Sequence, residues 1–103
     1  MATNLEEIKK ILESHKAELR EKYKIKEIGV FGSYVRGEQK KRSDIDILVE
    51  FDELPDLLRF IEIERYLEKL IHKKLIHKKV DLIEKTGIRP ELKDIILKET
   101  VYV

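Results

Sequence analysis

Residues 44–51 read Asp-Ile-Asp-Ile-Leu-Val-Glu-Phe, and Ile45, Ile47, Val49 and Phe51 occupy alternate positions. That period of two belongs to a strand with one shared apolar face, so the chain has to build a sheet and cover it. Two more apolar runs supply strand partners: Ile25–Phe31, with Ile28 and Val30 in alternation, and Val80–Glu84. Helical patterns lie around them. Thr3 and Glu6 read as a capping box. Leu5, Ile8, Leu12 and Leu19 then recur at helical spacing and predict one helix to about Glu21, with His15 a boundary residue on the same stripe. Pro55, after Asp52 and Glu53, is placed at the first position of a helix whose core stripe is Leu57, Phe60, Ile63, Leu67 and Leu70. A last helix is expected over Pro90–Glu99 with Leu92, Ile95 and Ile96, then a short strand at Val101–Val103. Tyr34–Arg36 reads as a helical turn, and Gly37–Ser43 and Thr86-Gly87 as loops. Strands and helices in this order predict a sheet covered by helices, in the α/β or α+β class.

The chain has 103 residues, the size of a single domain, 1–103. With no cysteine, disulfides, thiolate metal sites and cysteine nucleophiles are excluded. No apolar run approaches the ~20 residues of a membrane span, and the N-terminus lacks a signal-peptide core, so the expected location is the cytoplasm. The 22 basic and 21 acidic residues nearly cancel, so no global field for nucleic acid is implied. A charged fraction of 42%, mostly Lys and Glu, fits a heat-adapted (thermophile) protein that uses ion-pair networks.

Residues 69–73, Lys-Leu-Ile-His-Lys, are repeated letter for letter at 74–78. Five residues turn a helix by about 500°, so the second copy faces some 140° away from the first. The expected outcome is a duplication absorbed as an extra helical turn plus loop. An apolar, basic extension for a partner, or His72 and His77 as metal ligands, are the alternatives.

The chemistry concentrates in Gly32-Ser33-Tyr34-Val35-Arg36-Gly37 and Ser43-Asp44-Ile45-Asp46. A glycine directly after a buried strand lets a ligand approach the backbone, and the following N–H groups and serine hydroxyl can cradle phosphate; a plain turn is the bland alternative. Asp44 and Asp46 are two apart on a strand, so their carboxylates leave one face with Cα atoms about 6.6 Å apart. Such a pair can share hard cations like Mg²⁺. A capped strand edge and a solvated acid are the alternatives, although Asp46 shares its face with Leu48. Asp81 can join the two acids if its strand lies beside theirs; otherwise it is an exposed edge residue.

Gly-Ser, ten residues, then Asp-x-Asp, with Arg36-Gly37 after the Gly-Ser and a later strand aspartate, resembles the nucleotidyltransferase superfamily that includes DNA polymerase β. The short length and the Arg-Gly and Ser-Asp details are similar to the minimal nucleotidyltransferases of the MntA-like antitoxin group. The resemblance implies a small mixed β-sheet flanked by helices. It implies that Gly32 and Ser33 bind the β- and γ-phosphates of a nucleoside triphosphate. Asp44 and Asp46 would hold two Mg²⁺ ions, with Asp81 completing the metal site and helping activate the incoming hydroxyl. Arg36 is either a phosphate contact or a structural ion pair. The basic run Lys40-Lys41-Arg42 either attracts anions or is a solvated loop.

The implied reaction moves AMP from ATP to a hydroxyl and releases pyrophosphate. In the MntA-like group the acceptor is a tyrosine of a HEPN-type RNase toxin. No arginine of this chain is followed five positions later by histidine, as the toxin's Arg-x4-His requires, so the expected role is the antitoxin. A contact-only antitoxin and a small-molecule nucleotidyltransferase of the aminoglycoside-modifying type are the alternatives. Direct nucleic-acid binding is not expected, because no aromatic and basic platform is present.

Overall fold

The computed structural model describes residues 4–75 and 78–103. The elements run α1 (Asn4–Ser14), α2 (Lys16–Tyr23), β1 (Ile25–Phe31), α3 (Ser33–Arg36), β2 (Ile45–Phe51), α4 (Leu57–His72), β3 (Val80–Glu84), a 3₁₀ turn (Lys85–Gly87), α5 (Pro90–Glu99) and β4 (Val101–Tyr102). Thr3, which would open the expected capping box, lies outside the described residues.

The four strands form one sheet in the order β3-β2-β1-β4. β1 is antiparallel to both β2 and β4, whereas β2 and β3 run parallel, so the sheet is mixed. The alternation in β2 sorts its side chains as expected. Ile45, Ile47 and Val49 join Ile28, Val30 and Leu82 in the main core, against Ile8, Leu12 and Leu19 from α1–α2 and Ile63, Leu67 and Ile71 from α4. On the opposite face Phe31, Leu48 and Ile88 make a smaller cluster, closed by Ile83, Ile96 and Leu97. Asp46 shares that second face.

Three local expectations need correction. The first helix breaks at His15. The Ser14 hydroxyl donates to the Ile11 carbonyl at 2.9 Å, and the His15 ring meets the same oxygen at 3.0 Å. Short polar side chains that take a backbone carbonyl compete with the helix ladder, and here they end α1. The helix through residue 57 does not start on Pro55. Asp56 is its cap, with Oδ1 accepting the Arg59 N–H at 2.8 Å, a bond proline cannot supply. Leu57 then lies six residues before Ile63, about 120° off the core stripe, and is 72% exposed. In α5 the seated residues are Ile96 and Leu97, while Leu92 and Ile95 face outward. The patch they cover is only three residues wide, so it seats two side chains.

The duplicated pentapeptide resolves into an ending and a connection. α4 stops at His72, inside the first copy. One further turn carries Leu75 onto the core edge, its N–H donating to the Ile71 carbonyl at 2.8 Å. Ile76 and His77 lie outside the described residues. Lys78, the last residue of the second copy, donates from Nζ to the Lys41 carbonyl at 2.6 Å and the Lys40 carbonyl at 3.3 Å. The repeat thereby anchors the loop that leads into β2.

Candidate active site

The acids gather at one end of the sheet, where β1 ends and β2 and β3 begin. Asp46 on β2 is the register partner of Asp81 on β3, and of Phe31 on β1. Asp44 stands just before β2, and both it and Asp81 are exposed, while Asp46 is half-buried. Parallel pairing in this register places two carboxylates on adjacent strands at the same height, a juxtaposition the separate motifs could not specify. Burial pushes the Asp46 carboxyl up to about 6, with the Asp81 and Asp44 charges adding to the shift.

Gly32 closes the site from the β1 side. Its φ is +83°, in the region that favours glycine, and a Cβ there would overlap the Asp46 Oδ2. So Gly32 serves first as room: the loop between β1 and α3 can touch the acid because no side chain intervenes. Ser33 follows as the first residue of α3, partly buried. The Gly32 carbonyl accepts the Val35 and Arg36 N–H groups at 3.0 and 3.1 Å, which shapes the short helical turn.

Arg36 engages protein carboxylates. Its Nε donates to Glu38 at 2.8 Å and its Nη1 to both Glu99 oxygens at 2.9 and 3.1 Å. These pairs hold the guanidinium above its usual range, Glu38 first and Glu99 next. Glu99 also accepts the Gly32 N–H at 2.7 Å. Sequence reasoning missed Glu99. The available signal was a carboxylate as the last residue of a helix, where the macrodipole disfavours it.

On the other flank of Asp44 an open hollow of about 490 Å³ is lined by Lys41, Arg42, Asp44 and Lys79. The Lys79 carbonyl accepts the Ile45 N–H at 2.8 Å, so the start of β3 holds this basic rim against the start of β2. Lys79 was also missed. A hollow of about 470 Å³ over Glu13, Lys16, Ala17, Arg20 and Glu21 shares no residue with the site.

Among the described residues no three acidic or imidazole groups already stand close enough to enclose a metal ion. The donor chemistry fits a hard divalent cation all the same. Asp46 is held protonated to unusually high pH in part by two neighbouring carboxylates, a repulsion that a cation relieves. Mg²⁺ takes one or two carboxylates plus waters and substrate phosphates rather than a complete protein cage. No helix of the described residues is long and apolar enough to cross a membrane.

Comparison with known proteins gives the family. The family model for the nucleotidyltransferase domain matches residues 12–103. The protein adenylyltransferase MntA of Thermococcus cleftensis is 54% identical over 99 residues, 96% of this chain and 95% of the relative. A solved structure described as a minimal nucleotidyltransferase superposes with a TM-score of 0.70 at 29% identity, covering 91% of this chain and 93% of the other. A toxin–antitoxin crystal structure with AMP-PNP superposes with a TM-score of 0.62 at 25% identity, over 87% of this chain and 70% of that one. The chain belongs to the nucleotidyltransferase domain family, as one of its MntA-like minimal members.

Proposed function

We propose that this enzyme transfers AMP from ATP to a protein hydroxyl, and that it is the antitoxin half of a toxin–antitoxin pair. The observation that carries the reading is the register pairing of Asp46 with Asp81, against a glycine that abuts Asp46. Gly32 and Ser33 receive the β- and γ-phosphates, with the Ser33 hydroxyl and the loop backbone as donors. Asp44, Asp46 and Asp81 would hold Mg²⁺, two ions, and the metal would supply charge neutralisation at the phosphates. Asp81 takes the proton of the attacking hydroxyl as the oxygen bonds to the α-phosphorus and pyrophosphate leaves. The rim of Lys41, Arg42 and Lys79 draws the anionic reactant toward the acids.

The 54%-identical relative named as a protein adenylyltransferase supports a protein acceptor and an adenylyl donor. The structural likeness to a toxin–antitoxin complex supports a toxin partner. We assign the acceptor as a tyrosine of a HEPN-type RNase toxin, whose own surface completes the acceptor side of this small site. The cytoplasm is the compartment that fits such a pair.

Mass spectrometry tests the reading. The chain is incubated with ATP, Mg²⁺ and the HEPN-type protein encoded beside it, in parallel with an Asp44→Asn, Asp46→Asn variant. An AMP adduct on a partner tyrosine is expected with the wild type and none with the variant. A stable complex and a silenced RNase without any adduct would overturn catalysis in favour of neutralisation by contact.

A further inference from the structure

Glu99 ties together two segments 67 residues apart in the chain. Its Oε2 accepts the Gly32 N–H at 2.7 Å, and both oxygens accept Arg36 Nη1. The Glu99 side chain is 17% exposed, against 47% for Arg36. Gly32 in turn lies against Asp46. The carboxylate is fastened from both sides of the chain: α5 ends on it, and two residues later β4 pairs with β1 at Val101–Val30. Thr100 between them is held by its hydroxyl on the Ile96 carbonyl at 2.6 Å. A side chain anchored this way does not swing freely out of the site.

Its charge also needs an explanation. Glu99 adds a further carboxylate whose charge reaches Asp46 and which holds the Gly32 N–H, at a place where a triphosphate is to bind. A bare carboxylate there opposes the nucleotide electrostatically. Arg36 Nη1 sits on both of its oxygens and offsets that charge, while the Nε of the same guanidinium reaches Glu38.

From this we infer that Glu99 is a positioning residue of the nucleotide site: its carboxylate sets how the Gly32–Ser33 loop stands against Asp46, and Arg36 acts by neutralising it. The inference rests on the nucleotidyl-transfer reading above. It makes α5 and β4 part of the nucleotide site without giving them a contact to the substrate.

Calorimetric binding of Mg²⁺–AMP-PNP, with the thermal midpoint of each variant measured alongside, tests it. Glu99→Gln keeps an acceptor for the Gly32 N–H and removes the charge, so its affinity stays within about threefold of wild type, whereas Glu99→Ala weakens binding by about tenfold or more. Arg36→Ala leaves the carboxylate bare and loses about tenfold or more as well, and Arg36→Ala combined with Glu99→Gln recovers most of that loss. A merely structural ion pair would lower the midpoint, leave affinity unchanged, and give no recovery in the double variant. Affinity unchanged in Glu99→Ala, or tightened there because the carboxylate competes with phosphate, would overturn the assignment. If Glu99→Ala does not fold, the comparison of Arg36→Ala with the double variant decides alone. A wild type that binds no nucleotide overturns the transfer reading together with the assignment; a wild type that binds, with all variants matching it, overturns the assignment only.

Discussion

The fold places Asp46 where its negative charge costs stability, beside two other carboxylates and half out of water. Its carboxyl rises from 3.8 in the unfolded chain to about 6 in the folded one. The folded state therefore binds the proton more tightly. The associated stability is fully present below about 3.8 and is lost as pH rises through about 6. Above that, an ionised Asp46 beside Asp44 and Asp81 destabilises the metal-free protein. Asp46→Asn removes the charge, so in thermal denaturation at pH 7 the variant melts at or above the wild-type midpoint, and the fall in stability between pH 4 and 6 flattens. Transfer activity drops by about two orders of magnitude or more. A midpoint well below wild type would contradict this account of Asp46. Gly32 makes the complementary case. Gly32→Ala adds a Cβ onto Asp46 Oδ2 at a φ of +83°. The expected cost is about 1–3 kcal/mol from the backbone alone, with loss of transfer; urea denaturation and the adduct assay read the two effects. The Tyr34 hydroxyl is buried with no hydrogen-bond partner among the described residues. Tyr34→Phe should leave stability unchanged or raise it by up to about 1 kcal/mol, because burying that hydroxyl unpaired is a net penalty.

At the scale of elements, the sequence patterns located helices and strands better than their ends or outward faces. The patterns place α4 and α5 at nearly their observed positions, yet Leu57, Leu92 and Ile95, which the stripes put inward, lie exposed. A periodic stripe says that a helix has an apolar side; it does not say how wide a surface the neighbouring elements offer. β4 shows the opposite case, a two-residue strand paired with β1 at Gly29–Tyr102 and Val30–Val101, with a close approach at Gly29. A Cβ on Gly29 would stand 2.7 Å from Thr100 Cγ2 and 2.9 Å from the Val101 carbonyl oxygen. Gly29→Ala therefore pushes β4 off β1. Because Glu99 immediately precedes Thr100, the same substitution should weaken nucleotide binding, measured by calorimetry, although residue 29 touches no nucleotide group. Unchanged affinity, with β4 amide protons still protected from exchange, would contradict that coupling.

For the molecule as a whole, the two faces of the sheet carry unequal weight. The main core holds fully buried Ile8, Leu12, Ile47, Ile63, Leu67 and Ile71. The second face rests on Phe31, Leu48 and Ile88 under half-buried Ile96 and Leu97. Leu67→Ala should cost about 2–5 kcal/mol, and Leu97→Ala clearly less, in urea denaturation. The order matters for function, because the weaker face is the one that bears Asp46 and is covered by the helix ending in Glu99. The sequence by itself determined most of the strands and helices, through periods of two and 3.6, and it singled out the Gly32-Ser33 pair, the Asp44-x-Asp46 pair and a later strand Asp81 as candidates, which the family resemblance joined. Those signals are local, and local spacing is preserved in the primary structure. Only the tertiary structure decided that β2 and β3 run parallel in the register that sets Asp46 beside Asp81. It also decided that Lys79 borders Asp44, and that Glu99 closes on Gly32 and Arg36. Those relations join residues 35 to 67 positions apart, and they depend on strand order and on where short helices come to rest, which no periodicity in a single chain encodes.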